Sequence, residues 1–300
     1  MNLLPRPLPF DPAQMPNLSE RLLNSHHSNN YQGALKRLNA LRSELAAQPL
    51  SGQANYHING LKREELIASN SVTLHELYFD SLHPAPEPMV PAMALALSAS
   101  FGSVEQWQQE FAAMGKALGG SSGWVILAFD PRSARLINQW ASDHTQLLAG
   151  SLPLLALDMY EHAYHLDFGA NAGAYVDAFM QQIDWDKLYQ RYQHAIHACS
   201  EGYEVAPEAL GDSTILDVRR AGPFQQSAHM LPGARWQDPA RVDEWAAALQ
   251  LGQAVTVYCI YGHEVGRSTA LRLRARGVDA RFLCGGIDSW QAAGRPLVNK

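Results

Sequence analysis

The sequence predicts an α+β protein over residues 1–198, made of a helical hairpin and a small α/β domain, followed by a separate α/β domain. Three observations predict this arrangement. Leucines recur at helical spacing before residue 50, three short apolar strands follow between residues 124 and 158, and strands alternate with helices after residue 213. We place the hairpin at 1–90, the first α/β domain at 91–198, a linker at 199–204 and the last domain at 205–300.

The predicted hairpin consists of two long helices. Apolar residues at helical spacing predict the first helix from Ser19 to about residue 48, and a second helix is predicted over 64–82. His75 lies on the second helix, and a proline-rich stretch after residue 82 ends the hairpin. On the first helix, three residues follow one another at steps of four and are expected to share a face: His26, Asn30 and Ala34.

The first α/β domain begins with a clear helix signal. Ser103-Val104-Glu105-Gln106 is a capping box, and the helix that it begins is expected to end at Gly119-Gly120. Strands are predicted at 124–129, 134–140 and 153–158, and helices return from 173 to 198.

The last domain alternates strand and helix, which predicts a mostly parallel sheet. The predicted strands are 214–218, 255–258 and 280–283, and the predicted helices are 242–249, 264–276 and 287–293.

Composition excludes several classes of protein. With 47% hydrophobic and 17% charged residues the chain is globular, and its net charge of −6 gives no broad attraction for nucleic acid. The sequence contains no apolar run long enough to cross a membrane, and its N-terminus lacks the pattern of a signal peptide, so we expect a cytoplasmic protein. The three cysteines are too few and too oddly numbered for a disulfide framework.

A metal site is indicated where the third strand ends. Asp158 and His162 stand four residues apart at the predicted bend from strand to helix, where an Asp that caps a helix and a packed His are the simpler reading. His26 and His75 lie on inward-facing helix positions and complete a set of three imidazoles and one carboxylate. Such donors suit iron or manganese, and the absence of cysteine argues against structural zinc.

The first 198 residues resemble the iron/manganese superoxide dismutases. The resemblance rests on motifs in matching order and spacing: His26 with Leu38-Asn39, Leu74-His75-Glu76-Leu77-Tyr78-Phe79, Phe101-Gly102-Ser103, Gly123-Trp124 and Asp158-Met159-Tyr160-Glu161-His162-Ala163-Tyr164. It implies the family's two-part fold and one iron or manganese ion per chain, with His26, His75, Asp158 and His162 as ligands. It also implies that superoxide is converted to dioxygen and hydrogen peroxide, and that the protein is a homodimer.

The resemblance further implies roles around the metal. Trp124 would line the site, and Glu161 would reach a ligand histidine of the partner subunit. In the family a Gln or a His hydrogen-bonds the metal-bound solvent. His144 would have this role here, because Ser71 stands at the alternative position of the Gln. The sequence also departs from the family pattern. The family's gateway His and Tyr are replaced by Asn30 and Ala34, one Trp by Tyr160 and one Tyr by His165, while Tyr31 is expected on another helix face.

Cys259 follows an apolar strand and precedes a helix, so backbone N–H groups of the loop are expected to surround its thiol and lower its pKa. Taken alone, a buried cysteine at a strand end is the simpler reading. However, the domain resembles the rhodanese-like domains in its motifs, which are Leu216-Asp217-Val218-Arg219, His229-Met230-Leu231-Pro232-Gly233-Ala234-Arg235, the Cys259 loop and Gly285-Gly286-Ile287-Asp288-Ser289-Trp290.

This second resemblance implies that Cys259 accepts sulfur from a sulfur donor or binds a small oxyanion. Glu264 occupies a position where these domains commonly have Arg, which predicts that thiosulfate is a poor substrate. Cys284 precedes a Gly-Gly turn; a second thiol is one reading of it, and a small buried residue is the expected one. Two alternatives to a dismutase fused to a sulfurtransferase stay open. One is a metal-binding redox or sulfur sensor with weak dismutase activity, and the other is a Cys259-dependent oxyanion reductase.

Overall fold

The computed structural model describes residues 2–49 and 56–300. The chain forms two compact units. The first comprises Met1–Met89, Gln108–Ala128 and Asn138–Leu188, and the second comprises Val90–Trp107, Phe129–Ile137 and Tyr189–Lys300. The predicted metal ligands all belong to the first unit, and Cys259 belongs to the second.

The first helical run consists of α1 (Glu20–Ser25), a π-helical turn (His26–Tyr31) and α2 (Gln32–Ala47). Ser19 caps it, since its Oγ accepts the Leu22 N–H at 3.1 Å. The second helix, α3 (Tyr56–Asp80), begins earlier than the predicted residue 64.

The π-helical turn changes which side chains face inward. A π turn holds more residues than an α turn, so positions after it move around the helix axis. Tyr31 is 1% exposed, whereas Asn30 is only half-buried. The expectation that His26, Asn30 and Ala34 share a face rested on an α-helical period, from which this turn departs. Tyr31, which was expected on another helix face, is buried.

The next segment contains α4 (Pro91–Phe101) and α5 (Val104–Ala117). The capping box at α5 is confirmed, because Ser103 Oγ accepts the Gln106 N–H at 3.0 Å. Helix α4 was not predicted, because its alanine-rich sequence has no polar stripe to mark a helical period.

The predicted three-stranded sheet is present, with the order β2-β1-β3. Its strands are β1 (Trp124–Asp130), β2 (Arg135–Ala141) and β3 (Leu152–Asp158). A short 3₁₀ turn (Glu161–Ala163) follows β3 and leads into α6 (His165–Phe168), α7 (Ala172–Gln181) and α8 (Trp185–Ser200). The β3 end and this turn place Asp158 and His162 on one bend of the chain.

The rest of the chain forms an α/β fold around a five-stranded sheet of order β4-β9-β8-β5-β7, in which every pairing is parallel. Strands β6 and β10 form a separate antiparallel pair. The elements in chain order are β4 (Glu204–Val205), β5 (Thr214–Asp217), α9 (Ala221–Gln226), β6 (His229–Met230), β7 (Arg235–Trp236), α10 (Val242–Trp245), β8 (Ala254–Tyr258), α11 (Glu264–Ala275), β9 (Asp279–Leu283), α12 (Gly286–Ala292) and β10 (Val298–Asn299).

Alternation along the central strands gives this sheet two apolar faces. Val257 and Phe282 belong to one buried cluster, while Tyr258 and Leu283 belong to another. The predicted fold class, an α+β part followed by an α/β domain, is confirmed. Within residues 2–49 and 56–300, none of the helices is long and apolar enough to cross a membrane.

Candidate functional site

Four side chains from distant parts of the chain converge on one point. Their metal-binding atoms all lie within 4.8 Å of one another, and three of the four residues are buried. The four are His26, His75, Asp158 and His162.

Asp158 stands at the centre of this group and is fully buried. Its Oδ2 lies 3.1 Å from His26 Nε2, 3.2 Å from His162 Nε2 and 3.4 Å from His75 Nε2. The other oxygen, Oδ1, accepts the Tyr160 backbone N–H at 2.9 Å, which fixes the orientation of the carboxylate. One carboxylate oxygen is thus directed at three imidazole nitrogens.

The tautomer of His75 is set by the backbone. His75 Nδ1 donates to the carbonyl oxygen of Ser71 at 2.7 Å, so in the neutral ring Nε2 carries a lone pair instead of a proton. That lone pair faces the Asp158 carboxylate oxygen at 3.4 Å and His162 Nε2 at 3.4 Å. Because the lone pair and the carboxylate oxygen would repel each other at this distance, a cation bound between them would stabilise the arrangement. The donor set therefore fits a metal ion.

Burial also sets the protonation states that a metal requires. It lowers the pKa of His26 and lowers that of His75 to about 3. Burial alone would raise the pKa of Asp158, but hydrogen bonds with His162 and His26 hold it well below its usual value. Neutral imidazoles and one carboxylate anion are the forms in which these side chains bind metals.

Aromatic rings form one wall of the site. Trp124 is fully buried, and its ring lies edge-on to His75 with 5.3 Å between the ring centroids. Its Nε1 donates to His144 Nδ1 at 2.8 Å. Tyr160 stacks between His144 and His162, at centroid distances of 5.0 and 5.4 Å. Three of the residues expected around the metal therefore lie together.

The other expected neighbours of the metal differ in their exposure and partners. Glu161 is exposed and Asn30 is half-buried. Ser71 is buried against His75, and Tyr31 accepts the Arg6 backbone N–H at 2.8 Å and donates to Glu76 Oε1 at 2.9 Å. Tyr31 is thus held by partners other than the four converging residues.

One neighbour was missed by sequence reasoning. Tyr175 of α7 is fully buried, and its hydroxyl donates to the backbone carbonyl of Asp158 at 2.8 Å. This contact supports the bend that carries the carboxylate. No local sequence signal marks it, because a buried tyrosine on an amphipathic helix is normally a core residue.

Cys259 lies at the carboxyl end of β8 and is 6% exposed. As predicted, backbone N–H groups surround its sulfur. Those of Gly262 and His263 belong to the loop, and that of Gly266 belongs to α11. Burial nevertheless raises the pKa of the thiol, and the Glu264 carboxylate adds to the increase. The expectation of a lowered thiol pKa is wrong, because desolvation outweighs the three donors.

The loop depends on Gly262, which has φ +68°. A Cβ at this position would lie 2.7 Å from the backbone nitrogen of Gly285, so the close approach of the two turns requires glycine. Cys284, which was expected to be buried, is exposed at the end of β9, since the turn leaves its side chain open to solvent.

Glu264 is 9% exposed and is the first residue of α11. Its carboxylate accepts the Gln193 Nε2–H at 3.5 Å. Tyr189 also bonds to Glu264, while burial is the main cause that raises the tyrosine's pKa above its usual range. The carboxylate therefore occupies a fixed position beside the Cys259 loop.

Comparison with known proteins finds a match for each of the two parts of the chain. Residues 89–191 match the family model for the C-terminal domain of iron/manganese superoxide dismutases, and residues 203–293 match the model for the rhodanese-like domain. The superoxide dismutase [Fe] of Cupriavidus metallidurans is 56% identical over 191 residues, covering 64% of this chain and 96% of that protein.

More distant relatives cover the same part of the chain. Superoxide dismutase [Mn] 1 of Halobacterium salinarum is 37% identical over 193 residues, with 63% of this chain and 94% of that protein covered. The superoxide dismutase [Fe] of Aquifex pyrophilus is 31% identical over 195 residues, with 62% and 90% covered.

Proposed function

Because the chain belongs to the iron/manganese superoxide dismutases, a family of oxidoreductases, and carries a rhodanese-like domain, we propose that it converts superoxide to dioxygen and hydrogen peroxide at one metal ion. The proposed ligands are the four converging residues, His26, His75, Asp158 and His162. The observation that carries the proposal is the His75 lone pair directed at the Asp158 carboxylate, 3.4 Å away.

Iron or manganese, when bound, supplies a centre that accepts one electron and returns it. The chain supplies the rest. The Asp158 carboxylate and the three imidazoles would hold the cation, while Trp124 and Tyr160 close one side of the site. The side chain of His162 is 26% exposed, so the site is open to a small solute where this histidine lies.

The formation of hydrogen peroxide consumes two protons for each pair of superoxide ions, and solvent is their source. We propose that His144 would donate a hydrogen bond from Nε2 to the solvent bound at the metal. Burial lowers the pKa of His144, which favours the neutral ring. Its Nδ1 accepts from Trp124, and the proton of the neutral ring is therefore held at Nε2.

The proposal is tested by replacing one ligand. His162→Ala is expected to lose superoxide dismutation together with bound metal, because a ligand nitrogen is removed. Superoxide decay is measured beside elemental analysis for iron and manganese. His165→Ala is the matched control, since His165 is an exposed histidine three residues away. A chain with stoichiometric metal that does not accelerate superoxide decay would show that the proposal is wrong.

We propose iron as the resident metal. The relative at 56% identity is named as an iron enzyme, whereas the relative at 37% identity is named as a manganese enzyme. Protein stripped of metal and reloaded with each ion in turn is expected to be more active with iron. Equal or higher activity with manganese would contradict this choice.

For the rhodanese-like domain, we propose that Cys259 accepts a sulfane sulfur and carries it as a persulfide. Support comes from the three N–H groups around its sulfur, which can stabilise a bound anionic sulfur. Mass spectrometry after incubation with a sulfur donor is expected to find the added sulfur on Cys259 and none in Cys259→Ser. Sulfur found only on Cys284 would contradict this assignment.

Three further features belong to the proposal. We propose a homodimer, which the exposure of Glu161 permits. We also propose that residues 199–204 are the linker between the two functional parts of the chain. Family matches that end at residue 191 and resume at residue 203 support this linker. Three free cysteines suit a reducing compartment, so we propose a cytoplasmic location.

A further inference from the structure

Cys284 and Cys259 occupy corresponding positions on neighbouring strands. Strands β8 and β9 pair in parallel with Val257 opposite Phe282, and each cysteine stands two residues beyond its strand's member of that pair. The two chain segments stay in contact after the last ladder pair. The Ile287 N–H donates to the Cys259 carbonyl at 3.0 Å, and a Cβ on Gly262 would lie 2.7 Å from Gly285 N.

The two side chains start from the same face of the sheet. Strand side chains alternate between faces, so a residue two positions further along returns to the face where it began. Val257 and Phe282 belong to one buried cluster. Cys259 and Cys284 each stand one residue beyond the end of their strand, so we infer that both side chains begin on the side of the sheet that carries this cluster. Neighbouring strands lie ~4.8 Å apart, which falls within the ~4.4–6.8 Å between Cα atoms that a disulfide spans.

The two thiols differ in their access to solvent. Cys259 is 6% exposed inside its loop, whereas Cys284 is exposed at the strand end. A sulfur on Cys259 is therefore screened from large solutes by its own loop. Cys284 is open to solutes and adjacent to that loop.

We propose that Cys284 is a second reacting thiol, which releases the sulfur carried by Cys259 as hydrogen sulfide. This inference rests on the proposed role of Cys259 as sulfur acceptor. Cys284 attacks the Cys259 sulfur of the persulfide, so that a bond forms between the two cysteine sulfurs and the bond to the outer sulfur breaks. The outer sulfur leaves with that electron pair and takes the proton of the Cys284 thiol.

The step balances in atoms and electrons. One persulfide and one thiol give one disulfide and one hydrogen sulfide, and two electrons pass from the cysteine sulfurs to the departing sulfur. A soluble dithiol then reduces the disulfide by attack at the exposed Cys284 and restores both thiols.

The surroundings of Cys259 favour release of sulfide over transfer of the sulfur to Cys284. Attack on the outer sulfur would have to expel the Cys259 thiolate, and a thiol of raised pKa leaves slowly. Burial raises the pKa of Cys259, and the carboxylate of Glu264 acts in the same direction. Hydrosulfide is therefore the better leaving group.

A single-turnover experiment on the full metal-loaded chain tests the step. The chain is incubated with excess thiosulfate and no reductant until loading is complete, since Glu264 is expected to make this donor slow. Sulfite, sulfide and the cysteine products are then measured. Sulfite reports loading of Cys259, whereas sulfide and a Cys259–Cys284 disulfide, found by peptide mapping, report the proposed step. The unaltered chain is expected to give all three products.

The variants separate the two claims. Cys284→Ser is expected to release sulfite but no sulfide and to keep the persulfide on Cys259. Cys199→Ser, the matched control at the half-buried third cysteine, is expected to behave as the unaltered chain does. Circular dichroism and metal content check that each variant is folded.

Two outcomes would overturn the inference. If the unaltered chain releases sulfite but keeps its persulfide and forms no disulfide, Cys284 does not resolve the persulfide, although the function of Cys259 stands. If folded Cys284→Ser acquires no sulfur from thiosulfate or from glutathione persulfide, Cys259 is not a sulfur acceptor. In that case both the function and the inference are wrong.

Discussion

Trp124 Nε1 donates a hydrogen bond to His144 Nδ1 at 2.8 Å, so the indole fixes both the orientation and the tautomer of that histidine. Trp124→Phe keeps a buried ring but removes the donor. We expect turnover per bound metal to fall about 10-fold or more, in line with the effect of losing a partner that orients groups at a metal site. Superoxide decay normalised to metal content measures the effect.

The matched control for this change is Trp140→Phe, because Trp140 is a tryptophan 55% exposed on β2. It is expected to leave turnover unchanged. Normal turnover per metal in Trp124→Phe would show that the hydrogen bond to His144 does not matter for the reaction.

Glu161 is exposed beside the ligand His162. If it reaches a ligand histidine of the partner subunit, Glu161→Gln removes a charged acceptor from the dimer interface, and sedimentation should show a larger monomer fraction. Glu87→Gln changes another exposed glutamate and is expected to leave the association unaltered. The same dimer affinity for both variants would contradict a role of Glu161 between subunits.

Tyr31 is buried and linked through its hydroxyl to Arg6 and Glu76. Because these partners lie outside the four converging residues, Tyr31→Phe is expected to leave turnover unchanged and to lower the free energy of unfolding by about 1 kcal/mol. Tyr56→Phe is the control, since Tyr56 is 87% exposed and should change neither quantity. Lost turnover at full metal content would instead make Tyr31 a substitute for the family's gateway tyrosine.

Cys259 should respond to pH as a thiol of raised pKa. In a chain with Cys199→Ser and Cys284→Ser, its alkylation by iodoacetamide is expected to keep rising above the ordinary thiol pKa of 9.0, because burial disfavours the thiolate. Glu264→Gln removes a nearby negative charge, which lowers the thiol pKa, so the rate profile should move to lower pH. Glu208→Gln, at an exposed glutamate, should not move it. A rate that levels off near neutral pH would contradict the raised pKa.

Asp217 and Arg219 form a buried ion pair in the rhodanese-like domain, with 0% and 3% of their side chains exposed. Tyr258 completes the pair by donating its hydroxyl to Asp217 at 2.8 Å. Arg219→Met leaves the Asp217 carboxylate buried without its cation. We expect this change to lower the free energy of unfolding by about 3–5 kcal/mol. The domain's thermal unfolding, followed by circular dichroism, should shift to lower temperature.

The control for the buried pair is Arg241→Met, which breaks an ion pair whose side chains are 64% and 60% exposed. Solvent screens such a pair, so the free energy of unfolding should fall by less than about 1 kcal/mol. Equal losses of stability in Arg219→Met and Arg241→Met would show that burial of the Asp217 pair does not make it more important for stability.

The sequence alone predicted the fold class and brought out the four converging residues. Capping at Ser103 and strand periodicity around Asp158 are local signals, because they depend on residues a few positions apart. The order of the dismutase-like motifs along the chain then indicated that His26 and His75 belong to the same metal site as Asp158. The structure brings these side chains together without any change to the set.

Tertiary structure alone decided the surroundings of both sites. The π-helical turn buried Tyr31 in place of Asn30, since a helical period of 3.6 residues cannot anticipate an extra residue in one turn. Burial raised the pKa of Cys259 against three N–H donors, because desolvation depends on everything packed around the thiol. Spacing along the chain determined which residues carry the chemistry, and packing between distant segments determined their exposure, tautomer and charge.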